Sequence, residues 1–291
     1  MDTGERTESA AQKSSDTKTD SEKHAFTLRK FVYGRVERLP NCSIIDIHDI
    51  NLWDLLKSEL SYYPYHYFQG PPTSIDSPFE PLVHNWDNLQ KLAAEEVSDE
   101  NGSQARADLK LLMDTILDGS GDEDLDSYFK TREATRKQGI VTHKNLWTLF
   151  PPGTLVYGKP FQGQSEVFLV QDNNFVWPTS TRDHWSLACW AYDWNSTKFC
   201  RTPYNIAFEP FEGQKSIVSL PYYPLCFHKE ESELRSELIT RGKRYRKLCE
   251  SREGSQMFAY KGGAIFGRKG FSMQAIETNV SIQGEDPWFL C

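Results

Sequence analysis

The chain has 291 residues, of which 38% are hydrophobic and 13% aromatic, so it can bury a sizeable core in one large or two modest domains. Its 33 basic and 41 acidic residues give a formal charge of -8, which argues against binding nucleic acid through a broad basic surface. Because the sequence has no long apolar run and no apolar signal core at its N-terminus, we expect a cytoplasmic or nuclear protein with no membrane partner.

The N-terminal residues 1–24 contain no aromatic and no branched aliphatic side chain. Such a segment cannot bury enough apolar surface to offset the entropy of ordering it, so we predict a disordered tail. Two short strands are predicted next, separated by a turn at Pro40 and Asn41. Their apolar residues are Phe31, Val32, Val36, Ile44, Ile45 and Ile47.

A mostly helical region is predicted over residues 43–140. Its first helix is capped by Asn51 and ends before Pro64, which cannot continue a helix. Its last helix is polar, runs from Ser127 to Lys137 and stops at Gly139. The apolar stripes of the first three helices are, in order, Leu52, Leu55, Leu56 and Leu60; Val83, Trp86, Leu89, Ala93 and Val97; and Leu109, Leu112, Met113 and Ile116.

The following region, residues 146–228, consists of short β-rich runs separated by Gly, Pro, Asn and Asp. The strand from Trp185 to Tyr192 is apolar on both faces, which indicates burial on both sides, and a turn at 193–197 closes a hairpin. A helix over 229–250 follows. We therefore predict an α+β protein in which the helical region packs with an antiparallel, barrel- or sandwich-like sheet and a closing helix.

Two polar groups resemble metal sites but lack required donors. An acidic loop has several calcium-ligand positions, yet Glu123 and Phe129 stand where the loop needs Gly and Glu. A second polar group lacks further donors at metal-ligand spacing. The sequence also has no G-x-S-x-G motif, which would mark a catalytic serine nucleophile. We therefore assign no catalytic residue, metal site or cofactor. The two groups are Asp118, Ser120, Asp122 and Asp126, and Asp46, His48 and Asp49.

The closing helix carries a run of cations that either forms a solvated helix face or contacts an anionic partner such as an acidic protein, a phosphate or nucleic acid. Several tryptophans of the β-rich region either belong to the core or stack on a ligand. The cations are Arg241, Lys243, Arg244, Arg246 and Lys247, and the tryptophans are Trp177, Trp185, Trp190 and Trp194.

The segment YKGGAIFGRKG, residues 260–270, has the glycine content of a phosphate-binding loop. Gly262 and Gly267 have the P-loop spacing, but Arg268 and Lys269 replace the Lys and the hydroxyl residue that contact phosphate and Mg²⁺. The glycines are therefore interpreted as turn residues.

Five blocks follow one another in the order and spacing of a known region. Together they resemble the domain of unknown function that lies upstream of the ATPase core in filamentous-fungal AAA-type ATPases, over about residues 43–264. The blocks are DSPFEPLVHNWDNL (76–89), LWTLFPPGTLVYG (146–158), SIVSLPYYPLCFH (216–228), ELRSELITRGKRYRKL (233–248) and YKGGA (260–264).

The resemblance implies a non-catalytic accessory domain, residues 25–264, that contributes recruitment, assembly or regulation to an AAA-type ATPase module or its substrate. The sequence has no Walker A or Walker B motif, so none of the family's ATPase residues can be assigned here. Residues 265–291 diverge from the family, as expected of either a stand-alone copy or a truncated gene. The alternatives are a nucleic-acid or phospho-ligand module using residues 241–247, and a hydrolase whose site is assembled by the fold.

Overall fold

The computed structural model describes residues 24–31, 42–63, 68, 70–161, 163–173, 185–195, 197–250, 257–260 and 280–283. The predicted tail 1–24, apart from His24, lies outside the described residues. So do Trp177, the segment 261–270 and most of the divergent region 265–291.

The described chain contains six α-helices and three short 3₁₀ helices. The helices are α1 (Ile50–Leu60), α2 (Glu80–His84), α3 (Trp86–Ala94), α4 (Glu100–Gly119), α5 (Glu123–Gln138) and α6 (Glu231–Cys249). The 3₁₀ helices span His143–Leu149, Ile217–Ser219 and Leu225–Phe227.

All strand pairs of the described residues are antiparallel. The strands are β1 (Phe26–Phe31), β2 (Cys42–Ile47), β3 (Ser74–Asp76), β4 (Ile140–Thr142), β5 (Leu155–Phe161), β6 (Gln164–Asn173), β7 (Trp185–Trp194), β8 (Phe199–Phe208), β9 (Gln214–Ser216), β10 (Tyr222–Pro224), β11 (Met257–Tyr260) and β12 (Val280–Gln283). They form sheets in the orders β1-β2-β3, β10-β5-β6-β7-β8, β4-β9 and β11-β12.

The predicted α+β class is confirmed, but a closed barrel is not found. The largest sheet is open, because its end strands β10 and β8 do not pair with each other in the described part of the chain. The long edge strand β8 carries Pro203, which lies opposite Trp190 of β7. The hairpin predicted at 193–197 joins β7 to β8.

Local capping sets the helix limits. The first helix is capped by Asp49, whose Oδ1 accepts from the Leu52 amide at 2.8 Å, rather than by the predicted Asn51. Its end at Leu60, before Pro64, is as predicted. The polar helix α5 begins at Glu123, earlier than predicted, and ends as predicted at Gly139, whose φ of 64° is left-handed.

The apolar stripe predicted over 83–97 belongs to two short helices rather than one. Asn85 separates α2 from α3, so the stripe is interrupted after Val83. Val97 lies beyond α3 and is exposed, since the chain leaves the core there.

One apolar core joins the helical region to the large sheet. Trp53 and Trp86 enter it from the helices, and Trp185 and Phe208 enter it from β7 and β8. Phe150 packs between the two regions, with its ring centre 5.6 Å from that of Trp185. The apolar side chains of the helices thus pack against the inner face of the sheet.

The prediction that β7 is buried on both faces is wrong. Trp185, Leu187 and Cys189 on the inner face are buried, whereas Trp190 on the outer face is half-buried and Tyr192 is 61% exposed. The reason is that, among the described elements, α6 is the one helix that packs on the outer face, and it covers only part of it.

Candidate functional site

Helix α6 attaches to the outer face of the sheet through side chains at helical spacing. Leu234 and Leu238 pack with Tyr157 and Leu155 of β5 and with Val167 of β6. Because residues three and four apart lie on one side of a helix, the next members of this stripe are Arg241 and Tyr245. The stripe therefore changes from apolar to polar along the helix.

Arg241 fixes the middle of α6 to the start of β6. Its Nη2 donates to the Ser165 carbonyl at 2.7 Å and lies 3.0 Å from Oε1 of Glu166. Burial raises the pKa of Glu166, while the nearby guanidinium acts in the opposite direction. This cation of the predicted anion-binding run therefore already has an intramolecular carboxylate partner.

Tyr245 fixes the end of α6 to the β7–β8 hairpin. Its hydroxyl donates to Oδ1 of Asp193 at 2.9 Å, and its ring packs edge-on against Phe199 at 5.8 Å. Asp193 also accepts from the backbone amide of Trp194 at 2.8 Å. The carboxylate is thus held in position from two sides.

Between these attachments, a groove of about 410 Å³ remains open between α6 and the sheet. The sheet side is lined by Leu155, Leu169, Trp190 and Tyr192, and the helix side by Leu238 and Gly242. A Cβ added to Gly242 would meet no atom within 4 Å, so the helix wall of the groove is open at this residue. Its lining is predominantly apolar, with the Glu166–Arg241 pair as its main polar part.

Two perpendicular aromatic rings and a cation border the groove on the sheet side. The rings of Trp190 and Tyr192 meet edge to face, with centres 5.2 Å apart and an interplanar angle of 83°. The guanidinium carbon of Arg201 lies 4.4 Å from the centre of the Trp190 ring. Arg201 is exposed and lies opposite Tyr192 in the β7–β8 register.

The rest of the predicted cationic run is exposed. Arg246 pairs with Glu250 at 3.0 Å, one turn further along the helix. Lys243, Arg244 and Lys247 make no ion pair with the described residues. All five cations thus lie on α6, but two of them have carboxylate partners of their own.

The first metal candidate, at the end of β2, has a structural role. Asp46 accepts from Nη2 of Arg29 at 2.8 Å, His48 contacts the Thr27 hydroxyl at 2.9 Å, and Asp49 caps α1. Each polar group of this set thus has a partner that links β1 and β2 or begins the next helix.

The second candidate is the turn between α4 and α5. The hydroxyl of Ser120 donates to Asp126 at 2.7 Å, and Asp122 caps α5. Within the described residues, no three His, Cys, Asp or Glu side chains are grouped as metal ligands.

The tryptophans divide between the two faces of the sheet. Trp185 is part of the core, while Trp190 and Trp194 lie on the partly exposed outer side. Sequence reasoning missed Glu166, Tyr192, Arg201 and Gly242 as groove residues. Only the alternation of β7 could have indicated Tyr192, since the other three are brought together by strand register and helix packing.

Comparison with known proteins gives one family. Residues 131–229 match the family described as "Domain of unknown function (DUF7025)", about a third of the chain. The matched segment includes β4 to β10, and hence the sheet side of the groove, and ends just before α6. No curated protein and no solved structure matches the chain. None of the described helices is long and apolar enough to cross a membrane.

Proposed function

We propose that this chain is a non-catalytic interaction domain that binds a polypeptide segment in the groove between α6 and the large sheet. The observation that carries the proposal is the open, largely apolar groove on a sheet face that α6 covers only in part. Its volume of about 410 Å³ is enough for one or two large side chains.

Exposed aromatic side chains favour a protein ligand. Tyr192 is 61% exposed, although its neighbour Trp190 and the groove offer it an apolar setting. Aromatic residues of this kind dominate the energetics of protein interfaces, because they bury a large area with little loss of conformational freedom.

The polar groups of the groove favour binding over catalysis. Glu166 is paired with Arg241, and Asp193 accepts from Tyr245, so both carboxylates have partners that hold them in place. Among the described lining residues there is no Ser, Cys or His to act as a nucleophile or a proton carrier near neutral pH.

The sequence blocks favour an AAA-type ATPase as the system that the domain serves. Two of the five blocks, 146–158 and 216–228, lie inside the matched family segment, and a third, 233–248, forms α6. We propose that the domain contributes recruitment, assembly or regulation to an AAA-type ATPase module or its substrate.

A selection experiment with a groove-blocking variant tests the binding role. We expect the purified chain to enrich ligands from a random dodecapeptide display library. Gly242→Trp should abolish their binding, because the new side chain would enter the groove, while Gly242→Ala should retain it. Failure to enrich any peptide, or equal binding to both variants, would overturn the role of the groove, and ATP hydrolysis by the chain would overturn the non-catalytic role.

The second candidate function is binding of a nucleic acid or phospho-ligand by residues 241–247. It is favoured by the exposure of Lys243, Arg244 and Lys247, which lack carboxylate partners among the described residues. Fluorescence anisotropy with a labelled single-stranded oligonucleotide at low salt distinguishes the two candidates. Binding that is lost in Arg244→Ala but unchanged in Gly242→Trp would favour this second function.

A further inference from the structure

We infer that the segment accepted by the groove is acidic as well as apolar, with a large apolar side chain next to one or more carboxylates. This inference rests on the proposed function and names the chemistry of its ligand. The inference depends on the charges of the residues around the groove and on which of them already have partners.

The apolar part of the ligand follows from the groove floor. Leu155, Leu169 and Leu238 present aliphatic surface, and Trp190 and Tyr192 present ring surface at its sheet-side border. An aromatic or branched aliphatic side chain placed here would remove this surface from water, which is the main source of affinity in such a site.

The carboxylates near the groove already have partners, a cation for Glu166 and a neutral hydroxyl for Asp193. Glu166 lies 3.0 Å from Arg241, and Asp193 accepts a hydrogen bond from Tyr245 at 2.9 Å. A cationic ligand would therefore have to compete with existing partners for either carboxylate. An acidic ligand does not have to displace a partner from either carboxylate.

The positive charges at the border are partly unbalanced. Arg201 makes no ion pair with the described residues, and its guanidinium stacks on the Trp190 ring that lines the groove. Stacking restricts the side chain, so less conformational entropy is lost when a carboxylate binds it. Arg201 is therefore positioned to pair with an acid that flanks the buried apolar residue.

The helix side adds cations that act at longer range. Arg244 lies two residues beyond the groove-lining Gly242 and therefore on another side of α6, and Lys243 and Lys247 also lie outside the groove lining. Exposed charges act over about 8 Å at physiological ionic strength, so these residues raise the local potential of a chain whose total charge is -8. The locally positive border of an acidic protein favours acidic ligands.

The same peptide selection, followed by charge variants, tests the inference. We expect the enriched peptides to carry Asp or Glu beside Trp, Phe, Leu or Ile. Replacing those acids by Asn and Gln, or making Arg201→Glu in the protein, should weaken binding about tenfold, and raising NaCl from about 50 mM to about 500 mM should also weaken it. Lys110→Glu is the matched control, since it makes the same charge change at an exposed position of α4.

The outcomes separate this inference from the proposed function. Enriched peptides that are blocked by Gly242→Trp but are neutral or basic, and insensitive to Arg201→Glu, would overturn the acidic ligand and leave the groove's binding role intact. The absence of any enriched peptide would overturn both. An oligonucleotide that binds more weakly to Arg201→Glu, while the peptides do not, would overturn the inference in favour of a nucleic-acid ligand.

Discussion

His84 is a buried histidine whose two ring nitrogens both have partners. Its Nε2 lies 3.0 Å from the Trp147 carbonyl, which can only accept, so Nε2 carries the proton. Its Nδ1 then accepts from the Tyr63 hydroxyl at 2.9 Å. Burial lowers the pKa of His84 to about 4, because the imidazolium would be removed from water.

The shifted pKa of His84 predicts that stability falls on acidification. The unfolded chain binds a proton near pH 6.5, whereas the folded chain binds it only near pH 4, so the unfolding free energy decreases as pH falls through this window. The decrease from this residue is about 3 kcal/mol. Urea denaturation at a series of pH values should show this slope for the natural chain and a reduced slope for His84→Gln. Equal slopes would contradict the prediction.

Gly158 on β5 allows an aromatic ring to approach the backbone closely. A Cβ at this position would lie 2.3 Å from Cδ1 of Tyr222, whose hydroxyl lies 3.1 Å from that of Tyr204. The side chain of Tyr222 cannot move away without breaking these contacts between β10, β5 and β8.

Gly158→Ala should therefore destabilise the protein by about 1–3 kcal/mol through overpacking, although Ala is ordinarily the better strand residue. Gly70→Ala is the control, because its Cβ would meet nothing within 4 Å, and we expect a change below about 0.5 kcal/mol. Chemical denaturation measures both values. Equal stability of the two variants would show that Tyr222 has another place to pack.

Single residues were predictable from the sequence where their role is local. Gly139 ends α5 because a helix needs a left-handed residue there, and that requirement is visible in the chain. Arg201 could not be assigned, since its contact with Trp190 depends on the register of β7 and β8. The burial of Asp122 could not be predicted either, because its place in the turn is fixed by the packing of α4 and α5.

At the level of elements, α5 depends on its N-terminal cap. Oδ1 of Asp122 accepts from the backbone amides of Asp124 and Leu125, both at 3.1 Å. Burial raises the pKa of Asp122 despite these bonds, so its negative charge adds little to the cap itself.

Asp122→Ala should cost about 1–2 kcal/mol, because two helix amides lose their acceptor. Asp122→Asn keeps a side-chain oxygen without the buried charge and should retain most of the stability. Thermal unfolding, monitored by circular dichroism, compares the stability of the two variants. A larger loss of stability in Asp122→Asn than in Asp122→Ala would show that the charge, rather than the acceptor, stabilises α5.

Helices were easier to predict than the exposure of strands. Helix α6 and the turn before β8 are encoded in neighbouring residues, and both were predicted. The alternation of β7 showed which residues share a face, but it could not show how much of the outer face α6 covers. That is why Trp190 and Tyr192 were expected to be buried.

At the scale of the whole molecule, one core connects the helical region and the large sheet. Leu112 of α4 and Leu187 of β7 are both fully buried in it, although they come from different halves of the chain. A shared core means that neither half can lose its packing without exposing the other.

We therefore predict a single cooperative unfolding transition. Leu112→Ala and Leu187→Ala should each lower the stability by about 2–5 kcal/mol and shift the helical and the tryptophan signals together. Far-ultraviolet circular dichroism and tryptophan fluorescence, recorded in the same urea series, test this. Separate midpoints for the two probes would show that the halves unfold independently.

The overall class could be predicted because the two hydrophobic periods, helical and alternating, change near the middle of the chain. The groove could not be predicted, because it is formed by residues from β5, β6, β7 and α6 that lie far apart in sequence. The proposed acidic ligand likewise depends on strand register and helix packing, which place Arg201 and α6 on the same face of the sheet.

The edge strand β8 has a consequence for how a partner can approach. A bare strand of ten residues is normally a template on which another chain can polymerise. Here Pro203 removes one backbone donor from the middle of the strand, and the charge of Arg201 stands beside it. Growth of the sheet by strand addition is thereby disfavoured at this border. The ligand that we propose would therefore approach across the face of the sheet, where its side chains rather than its backbone would determine recognition.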